Sequence, residues 1–154
     1  MNVKMEALSF DDVLLVPSYS EVRHRADISL ASSLDPFLFA LPIIASPMDT
    51  ITEAEMATAM GICGGLGIIH RYNSIVEQKR QLYRALFQTA CGAPPSHGAA
   101  TGITGDWFER AVELCDMVKI SILCLDVAHG HHILMKEALS KLKNDRRFNY
   151  VHIM

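Results

Sequence analysis

Segments of strand type and helix type alternate from Leu41 to Met154, and this alternation limits the possible folds more than any other feature. Five short apolar segments have the pattern of strands: PIIAS (42–46), GLGIIH (65–70), GAATG (98–102), ISILCLDVA (120–128) and NYVHIM (149–154). Four segments with helical periodicity lie between them: 52–61, 74–87, 106–116 and 131–144. Strands joined by such helices pair in parallel through right-handed crossovers. The sequence therefore predicts an α/β fold, either doubly wound or a (βα) barrel, and the near-equal repeat favours the barrel.

An N-terminal extension precedes the first βα unit. Residues 11–17 (DDVLLVP) and 26–34 (ADISLASSL) have the pattern of two strands, which predicts an N-terminal hairpin or cap. An eight-stranded barrel takes roughly 250 residues, so four βα units and a fifth strand amount to about half of one. Such a half-barrel would leave the inward strand faces, with Val151 and Ile153, uncovered and two strand edges unpaired. We therefore expect self-association, or a chain that is part of something longer.

Two helix starts carry a capping signal. Thr52 precedes Glu55 by three residues, and Ser74 precedes Glu77 by three. This is the capping-box spacing, in which each side chain satisfies a free backbone N–H group. It predicts that Thr52 and Ser74 begin their helices.

Composition and charge disfavour several functional classes. Half of the 154 residues are apolar, a fifth are charged, and the net charge is −3, which disfavours nucleic acid or an anionic membrane as a partner. The four cysteines form no C-x-x-C pair, so we expect no metal site and a reduced, intracellular protein. Because the N-terminus lacks a cationic start with a long apolar core, and no apolar run could span a bilayer, we expect a cytoplasmic protein.

Candidate site residues lie where the predicted strands end, because sites in parallel α/β folds form at the carboxyl ends of strands. These junctions are residues 46–50, 70–73, 101–104 and 126–132. Most of their polar residues also have structural explanations: Thr52 as a cap, His70 as a hydrogen-bonded strand-end histidine, and the histidines at 129, 131 and 132 as loop residues. Asp126 is harder to explain in this way. A carboxylate that ends a buried strand must be paired, hydrated in a cleft or bound to a ligand.

Four segments resemble motifs of the IMP dehydrogenase/GMP reductase family, in the same order: ALSFDDVLLVPSYSEV (7–22), PIIASPMDTITEAEMA (42–57), GGLGIIHR (64–71) and LDVAHGHH (125–132). The resemblance implies a TIM (β/α)8 barrel, of which residues 1–154 are about the first half, as one partial catalytic domain. It also implies a purine nucleoside monophosphate (IMP or GMP) as ligand and NAD or NADP as cofactor. The motifs leave open which activity and which cofactor apply.

The resemblance assigns roles to four residues. Ser46 is expected near the ribose-phosphate of the nucleotide and Met48 against the purine, since a hydroxyl bonds phosphate and a thioether packs on a flat ring. Asp126 is expected on the cofactor side, with His129 in the loop beside it. The family's catalytic cysteine follows its sixth strand, so we expect that loop, and the monovalent-cation site of the full-length family, beyond Met154. None of the four cysteines replaces the nucleophile.

The family's dehydrogenases usually carry a pair of CBS modules after the second helix, where this chain has only the link ACGAPPSHG (90–98), so we expect no CBS domain. Two functional hypotheses remain. The first is a purine nucleotide oxidoreductase of this family, inactive as the truncated chain. The second is a non-catalytic half-barrel that binds a partner or nucleotide, or self-associates. Under either hypothesis we expect a homo-oligomer.

Overall fold

Five parallel strands form the central sheet of the computed structural model, which describes residues 7–34, 36–88, 97–118 and 120–154. In chain order the strands and α-helices are β1 (Ser32–Leu34), β2 (Phe37–Phe39), β3 (Ile44–Ala45), α1 (Ala54–Ile62), β4 (Leu66–Ile69), α2 (Ile75–Gln88), β5 (His97–Thr101), α3 (Trp107–Glu113), β6 (Ile122–Leu125), α4 (Ile133–Lys143) and β7 (His152–Ile153). The sheet order is β3-β4-β5-β6-β7, and every neighbouring pair is parallel. The predicted α/β alternation is confirmed, while most of the link at 90–98 lies outside the described residues.

Each of the described helices α1 to α4 contributes to one hydrophobic core on one face of the sheet. Ile69 and Leu123 from the strands pack in a cluster that includes Leu82 of α2 and Leu142 of α4, all fully buried. Helix α1 lies very close to β4. A Cβ atom added to Gly67 would lie 2.6 Å from the Cα atom of Ala57, so this packing requires glycine. No described helix combines the length and apolar character that crossing a membrane requires.

The other face of the sheet is covered by an antiparallel hairpin of β1 and β2. Phe39 of β2 packs there against Ile68, Ala100 and Ile122, and each of these three strand residues is at most 1% exposed. The expectation that the inward faces would be uncovered is therefore wrong for the central strands. It is also wrong for Val151 and Ile153, which pack against the helix-side core.

The predicted strand at 11–17 is also wrong. Phe10–Asp12 forms a 3₁₀ turn, and Leu14 and Leu15, which follow it, are 94% and 98% exposed. Of the segment 26–34 only the end, β1, is a strand. Its partner is β2, which lies next to it in sequence, and this hairpin can bury Leu34, Phe37 and Phe39 on the sheet. An alternating pattern shows that a segment can be a strand but not that a partner is available.

The two predicted caps have different outcomes. The N-cap of α1 is Glu53, not Thr52, whose hydroxyl instead donates to the Ser46 carbonyl at 2.6 Å. The Ala54 N–H in the first turn of α1 donates to Gln81 Oε1 of α2 at 2.8 Å, so a neighbouring helix satisfies this group. Ser74 caps α2 as predicted, because its Oγ accepts from the Glu77 N–H at 3.1 Å.

Candidate functional site

The loop after β3 holds Ser46 and Met48 on a fixed backbone. The Ser46 carbonyl accepts from the Met48 N–H at 2.8 Å and from the Thr52 hydroxyl at 2.6 Å. The Met48 carbonyl accepts from the N–H groups of Ile51 and Thr52. Thr52 is fully buried, whereas the Ser46 and Met48 side chains are exposed. The loop therefore presents a hydroxyl and a thioether to solvent from a backbone that is already ordered.

Asp126 lies at the end of β6 and is paired across the neighbouring strand. Its N–H donates to the Thr101 carbonyl at 2.8 Å, and its Oδ2 lies 3.4 Å from Nε of Arg71, the residue that follows His70 at the end of β4. The Arg71 guanidinium passes the end of β5, because a Cβ atom on Gly102 would lie 3.5 Å from its Cζ. Both side chains are about a third exposed (34% and 28%), so the pair is accessible to solvent.

Arg71 of this pair and Asn73 beside it have buried side-chain polar atoms without a hydrogen-bond partner among the described residues. They are Arg71 Nε, whose contact with Asp126 does not meet hydrogen-bond geometry, and both side-chain polar atoms of Asn73. Buried polar atoms in native proteins almost always have partners, so these positions suit a ligand or ordered water. Sequence reasoning missed the roles of both, although they lie in the junction 70–73.

His70 has the structural role that its position suggested. It is 2% exposed, and its Nδ1 accepts from the Tyr72 N–H at 3.1 Å. Nε2 therefore carries the proton in the neutral ring and donates to Glu53 Oε1 at 3.3 Å. Both ring nitrogens are used within the protein, and the bond to Glu53 links the end of β4 to the start of α1.

A buried polar network of side chains from α2 and α3 holds the loop after β4 in place. The Gln78 side chain, fully buried, donates to the carbonyls of Ile69 and Ala100 at 3.3 and 2.8 Å. Its Oε1 accepts from Arg110, which also donates to the Asn73 carbonyl, each at 2.9 Å. Sequence reasoning missed this network as well. The sequence offered one sign of this network, a polar residue on the apolar face of a predicted helix. Gln78 lies three residues after Ile75 and four before Leu82.

The histidines after β6 do not converge on one point. His132 Nδ1 accepts from the Leu134 N–H at 3.2 Å and so caps α4. His129 is exposed, and its ring centroid lies 6.4 Å from that of His132. Within the described ranges, no three His, Cys, Asp or Glu side chains are grouped so that they could hold a metal ion.

The described cysteines are poor candidates for a nucleophile at these residues. Burial, and then the nearby Asp126 carboxylate, raise the pKa of Cys124 in β6 to about 11, so its thiol is protonated at neutral pH. Cys115 is buried in the π-helical turn Leu114–Val118. Cys63 is exposed, but it follows the C-terminus of α1 and so lies at the opposite end of the sheet. Cys91 lies outside the described residues.

The candidate residues therefore lie at the carboxyl end of the sheet, in two separate regions. Ser46 follows β3 and Asp126 follows β6, and two strands lie between these. Neighbouring strands are about 4.8 Å apart, which separates the two positions by about 14 Å. One region offers a hydroxyl and a thioether, and the other offers a carboxylate paired with a guanidinium.

Comparison with known proteins identifies the family. A model of the IMP dehydrogenase / GMP reductase domain matches residues 7–153. Inosine-5'-monophosphate dehydrogenase of Nitrosopumilus maritimus is 44% identical over 80 residues, which is 51% of this chain and 17% of that protein. The enzyme of Borreliella burgdorferi is 29% identical over 187 aligned residues, which cover 92% of this chain and 46% of that protein. The chain belongs to the IMP dehydrogenase / GMP reductase family.

The structural comparison agrees with this assignment. The crystal structure of inosine 5' monophosphate dehydrogenase from Legionella pneumophila matches 97% of this chain with a TM-score of 0.81 and 33% sequence identity. The match covers 43% of that structure, so the chain spans less than half the length of each relative named here. The Borreliella alignment also has more positions than this chain has residues, 187 against 154, so that relative contains segments with no counterpart here.

Proposed function

We propose that this member of the family forms part of an oxidoreductase that acts on a purine nucleoside monophosphate, IMP or GMP, with NAD or NADP. In this proposal residues 1–154 are one partial (β/α) barrel, four βα units and a fifth strand, without a CBS module. One observation supports the proposal: Ser46 and Met48 follow β3 and Asp126 follows β6, so the three residues lie at the carboxyl end of one parallel sheet, within the residues that match the family model.

The region after β3 suits the monophosphate. The exposed Ser46 hydroxyl can donate to an anionic phosphate oxygen, and the exposed thioether of Met48 can pack on a purine ring. Because Thr52 and the turn at Met48 already fix the backbone, binding there would order little additional chain. Such preorganisation lowers the entropic cost of binding.

The region after β6 suits the dinucleotide. The Asp126 carboxylate can accept hydrogen bonds from ribose hydroxyls or from the nicotinamide amide, and Arg71 limits its orientation. The exposed ring of His129 lies in the loop that follows. The bound dinucleotide would supply hydride-transfer chemistry, and the role of these residues would be to bind and orient the two ligands.

A non-catalytic binding unit is the second candidate function. It is favoured by the described cysteines, since Cys115 is buried and the thiol of Cys124 is protonated at neutral pH. Ligand binding separates the two functions, because part of an oxidoreductase binds both a monophosphate and a dinucleotide, whereas a non-catalytic unit need not bind the dinucleotide.

Calorimetric titration of the chain with IMP, GMP, NAD⁺ and NADP⁺ tests the proposal. Ser46→Ala should weaken monophosphate binding about tenfold or more, because one hydrogen bond to a charged group is lost, and should leave dinucleotide binding unchanged. Asp126→Asn should do the reverse. Ser18→Ala and Asp11→Asn, at exposed N-terminal positions, are the matched controls. If Ser46→Ala leaves the affinity for the monophosphate unchanged, Ser46 is not in the site.

A further inference from the structure

The contact between Arg71 and Asp126 depends on how the ends of two neighbouring strands are placed. Arg71 lies two residues after β4. Asp126 directly follows β6, and its N–H donates to the carbonyl of Thr101, the last residue of β5, at 2.8 Å. The pairing of β5 with β6 extends to Thr101 and Leu125, so Asp126 is fixed to the end of β5. The position of Asp126 relative to Arg71 therefore depends on how the end of β5 lies relative to the end of β4.

One side chain joins these two strand ends. The pairing of β4 with β5 stops at Ile69 and Ala99, before either charged residue is reached. Gln78 of α2 continues the link, because its Nε2 donates to the Ile69 carbonyl at 3.3 Å and to the Ala100 carbonyl at 2.8 Å. Gln78 is fully buried, so water does not replace these hydrogen bonds when they are lost. The side-chain amide of Gln78 thus fixes the end of β4 to the end of β5.

Arg110 of α3 fixes the orientation of this amide. Its Nη1 donates to Gln78 Oε1 at 2.9 Å. A guanidinium group only donates hydrogen bonds, so the amide oxygen must face Arg110 and the amide nitrogen must face the two carbonyls. Arg110 Nη2 also donates to the Asn73 carbonyl at 2.9 Å. The loop that carries Arg71 is therefore held at its start by Gln78 and at its end by Arg110.

The contact that these bonds hold in place is close but is not a hydrogen bond. Nε of Arg71 lies 3.4 Å from Oδ2 of Asp126, and this nitrogen is buried without a hydrogen-bond partner among the described residues. If the two strand ends moved together, the pair could close into two parallel hydrogen bonds, which would occupy the carboxylate. If they moved apart, the carboxylate would lose its charged neighbour. The geometry of the pair is thus sensitive to the link through Gln78.

We propose that Gln78, oriented by Arg110, is a positioning residue for dinucleotide binding: by joining the ends of β4 and β5, it keeps the Asp126 carboxylate beside Arg71 and open to a donor on the dinucleotide. The identity of this ligand rests on the proposed function. The bonds that Gln78 makes reach β4, β5 and Arg110, and the loop after β3 is held by its own bonds. Loss of Gln78 should therefore weaken dinucleotide binding and leave monophosphate binding unchanged.

NMR of the Arg71 side chain tests the positioning without any ligand. Arg71→Lys identifies the Hε–Nε signal of Arg71 by its loss. In the natural chain this signal should lie apart from those of the exposed Arg23 and Arg25, because its Nε is buried beside a carboxylate. In Gln78→Met it should move, since methionine keeps the apolar contacts of glutamine but donates no hydrogen bond to the strand ends. An unmoved signal would overturn the proposal.

Two further variants separate positioning from a general loss of stability. Gln78→Met leaves the buried guanidinium of Arg110 with one acceptor fewer, whereas Gln78→Met/Arg110→Met removes the charge together with its partner. The double variant should move the Arg71 signal as well, and circular dichroism shows that each variant is folded. Leu142→Ala is the control, because it opens a cavity in the fully buried core and touches no member of the network. If it moved the Arg71 signal as far as Gln78→Met does, the proposal would be wrong.

Calorimetric titration then tests the effect on binding. Gln78→Met should raise the dissociation constant for NAD⁺ or NADP⁺ about tenfold, the loss expected when one hydrogen bond to a charged group is misplaced, and should leave that for IMP or GMP unchanged. Equal weakening of both ligands, or an unchanged dinucleotide affinity, would overturn the proposal. If the natural chain binds neither dinucleotide, the proposed function fails and so does the ligand assigned here. The Arg71 signal then still decides whether Gln78 positions that side chain, so the two failures are distinguishable.

Discussion

Replacing Arg110 with methionine tests the polar network that supports the site. Arg110 is 6% exposed, and its guanidinium donates to Gln78 Oε1, to the Asn73 carbonyl and to Asp106 Oδ2, at 2.9, 2.9 and 3.1 Å. Methionine fills much of the same space and keeps apolar contacts, but it donates no hydrogen bond. The variant therefore isolates the hydrogen bonds from the packing.

The loss of stability in the Arg110→Met variant follows from the hydrogen-bond acceptors that lose their donor. A buried acceptor that loses its partner costs about 1–3 kcal/mol. Gln78 Oε1 is such an acceptor, and the partly buried Asn73 carbonyl adds a smaller cost. The Asp106 carboxylate is 53% exposed, so water replaces its bond and it adds little. We therefore expect the free energy of unfolding to fall by about 3 kcal/mol. Against a typical total of about 5–15 kcal/mol, this is a large change.

Equilibrium unfolding in urea at pH 7, followed by circular dichroism at fixed protein concentration, measures this change. With a slope near 2 kcal/mol per molar urea, the midpoint should fall by about 1.5 M. The matched control is Arg80→Met on the neighbouring helix α2. Its side chain is 60% exposed and pairs with Glu77 at the surface, where water replaces the lost bonds, so a much smaller loss is expected. If the two variants lost equal stability, the network would not be holding the loop.

Three further outcomes are expected. Gly67→Ala should lower the free energy of unfolding by about 1–3 kcal/mol, because the added methyl group meets the backbone of α1. At pH 8 iodoacetamide should label the exposed Cys63 faster than Cys124, whose pKa is raised to about 11 by burial and then by Asp126; peptide mass spectrometry measures both rates. Hydrogen bonds from Arg147 lower the pKa of Asp145 to about 2, below its ordinary 3.8. The ionised carboxylate therefore stabilises the fold above about pH 4, and this contribution is lost as the pH falls towards 2. Asp145→Asn should reduce the fall in Tm over that pH range.

Each of these outcomes has a control. Gly130→Ala, where no atom lies within 4 Å of the added methyl group, should not destabilise the chain as Gly67→Ala does. Asp126→Asn should speed the labelling of Cys124, since one of the two causes of its raised pKa is removed. Equal labelling rates for both thiols, or an unchanged pH profile for the Asp145 variant, would contradict the geometry from which these expectations come.

The sequence predicted the sheet well because its signals are local. Each strand of the sheet is a short apolar run, and each helix repeats its apolar positions, so burial can be read without knowledge of the partner. The segment 11–17 has an equally good strand pattern but forms none, while β1 and β2 pair with each other. Whether a segment pairs as a strand depends on a partner strand nearby and on an apolar face to bury. Both depend on the tertiary structure and cannot be read from the segment alone.

The candidate site was predictable only in part for the same reason. The junctions containing Ser46 and Asp126 follow from the ends of the strands. The contact of Arg71 with Asp126 joins residues 55 positions apart, and the bond from Arg110 to Gln78 joins residues 32 apart. Neither contact leaves a local pattern in the sequence. Thr52 shows a different error: its hydroxyl bonds the Ser46 carbonyl in the same loop, and the N-cap of α1 is the next residue, Glu53.

Amide chemical-shift mapping of the ¹⁵N-labelled chain tests the central claim most directly. The claim is that the carboxyl end of the sheet binds a purine nucleoside monophosphate after β3 and a nicotinamide dinucleotide after β6. Titration with IMP or GMP should shift amides of residues 46–52, and titration with NAD⁺ or NADP⁺ should shift those of residues 126–132 and of Arg71. Saturable shifts confined to these two regions are predicted. Saturable shifts centred elsewhere, or no shift at millimolar ligand with a folded chain, would contradict the account.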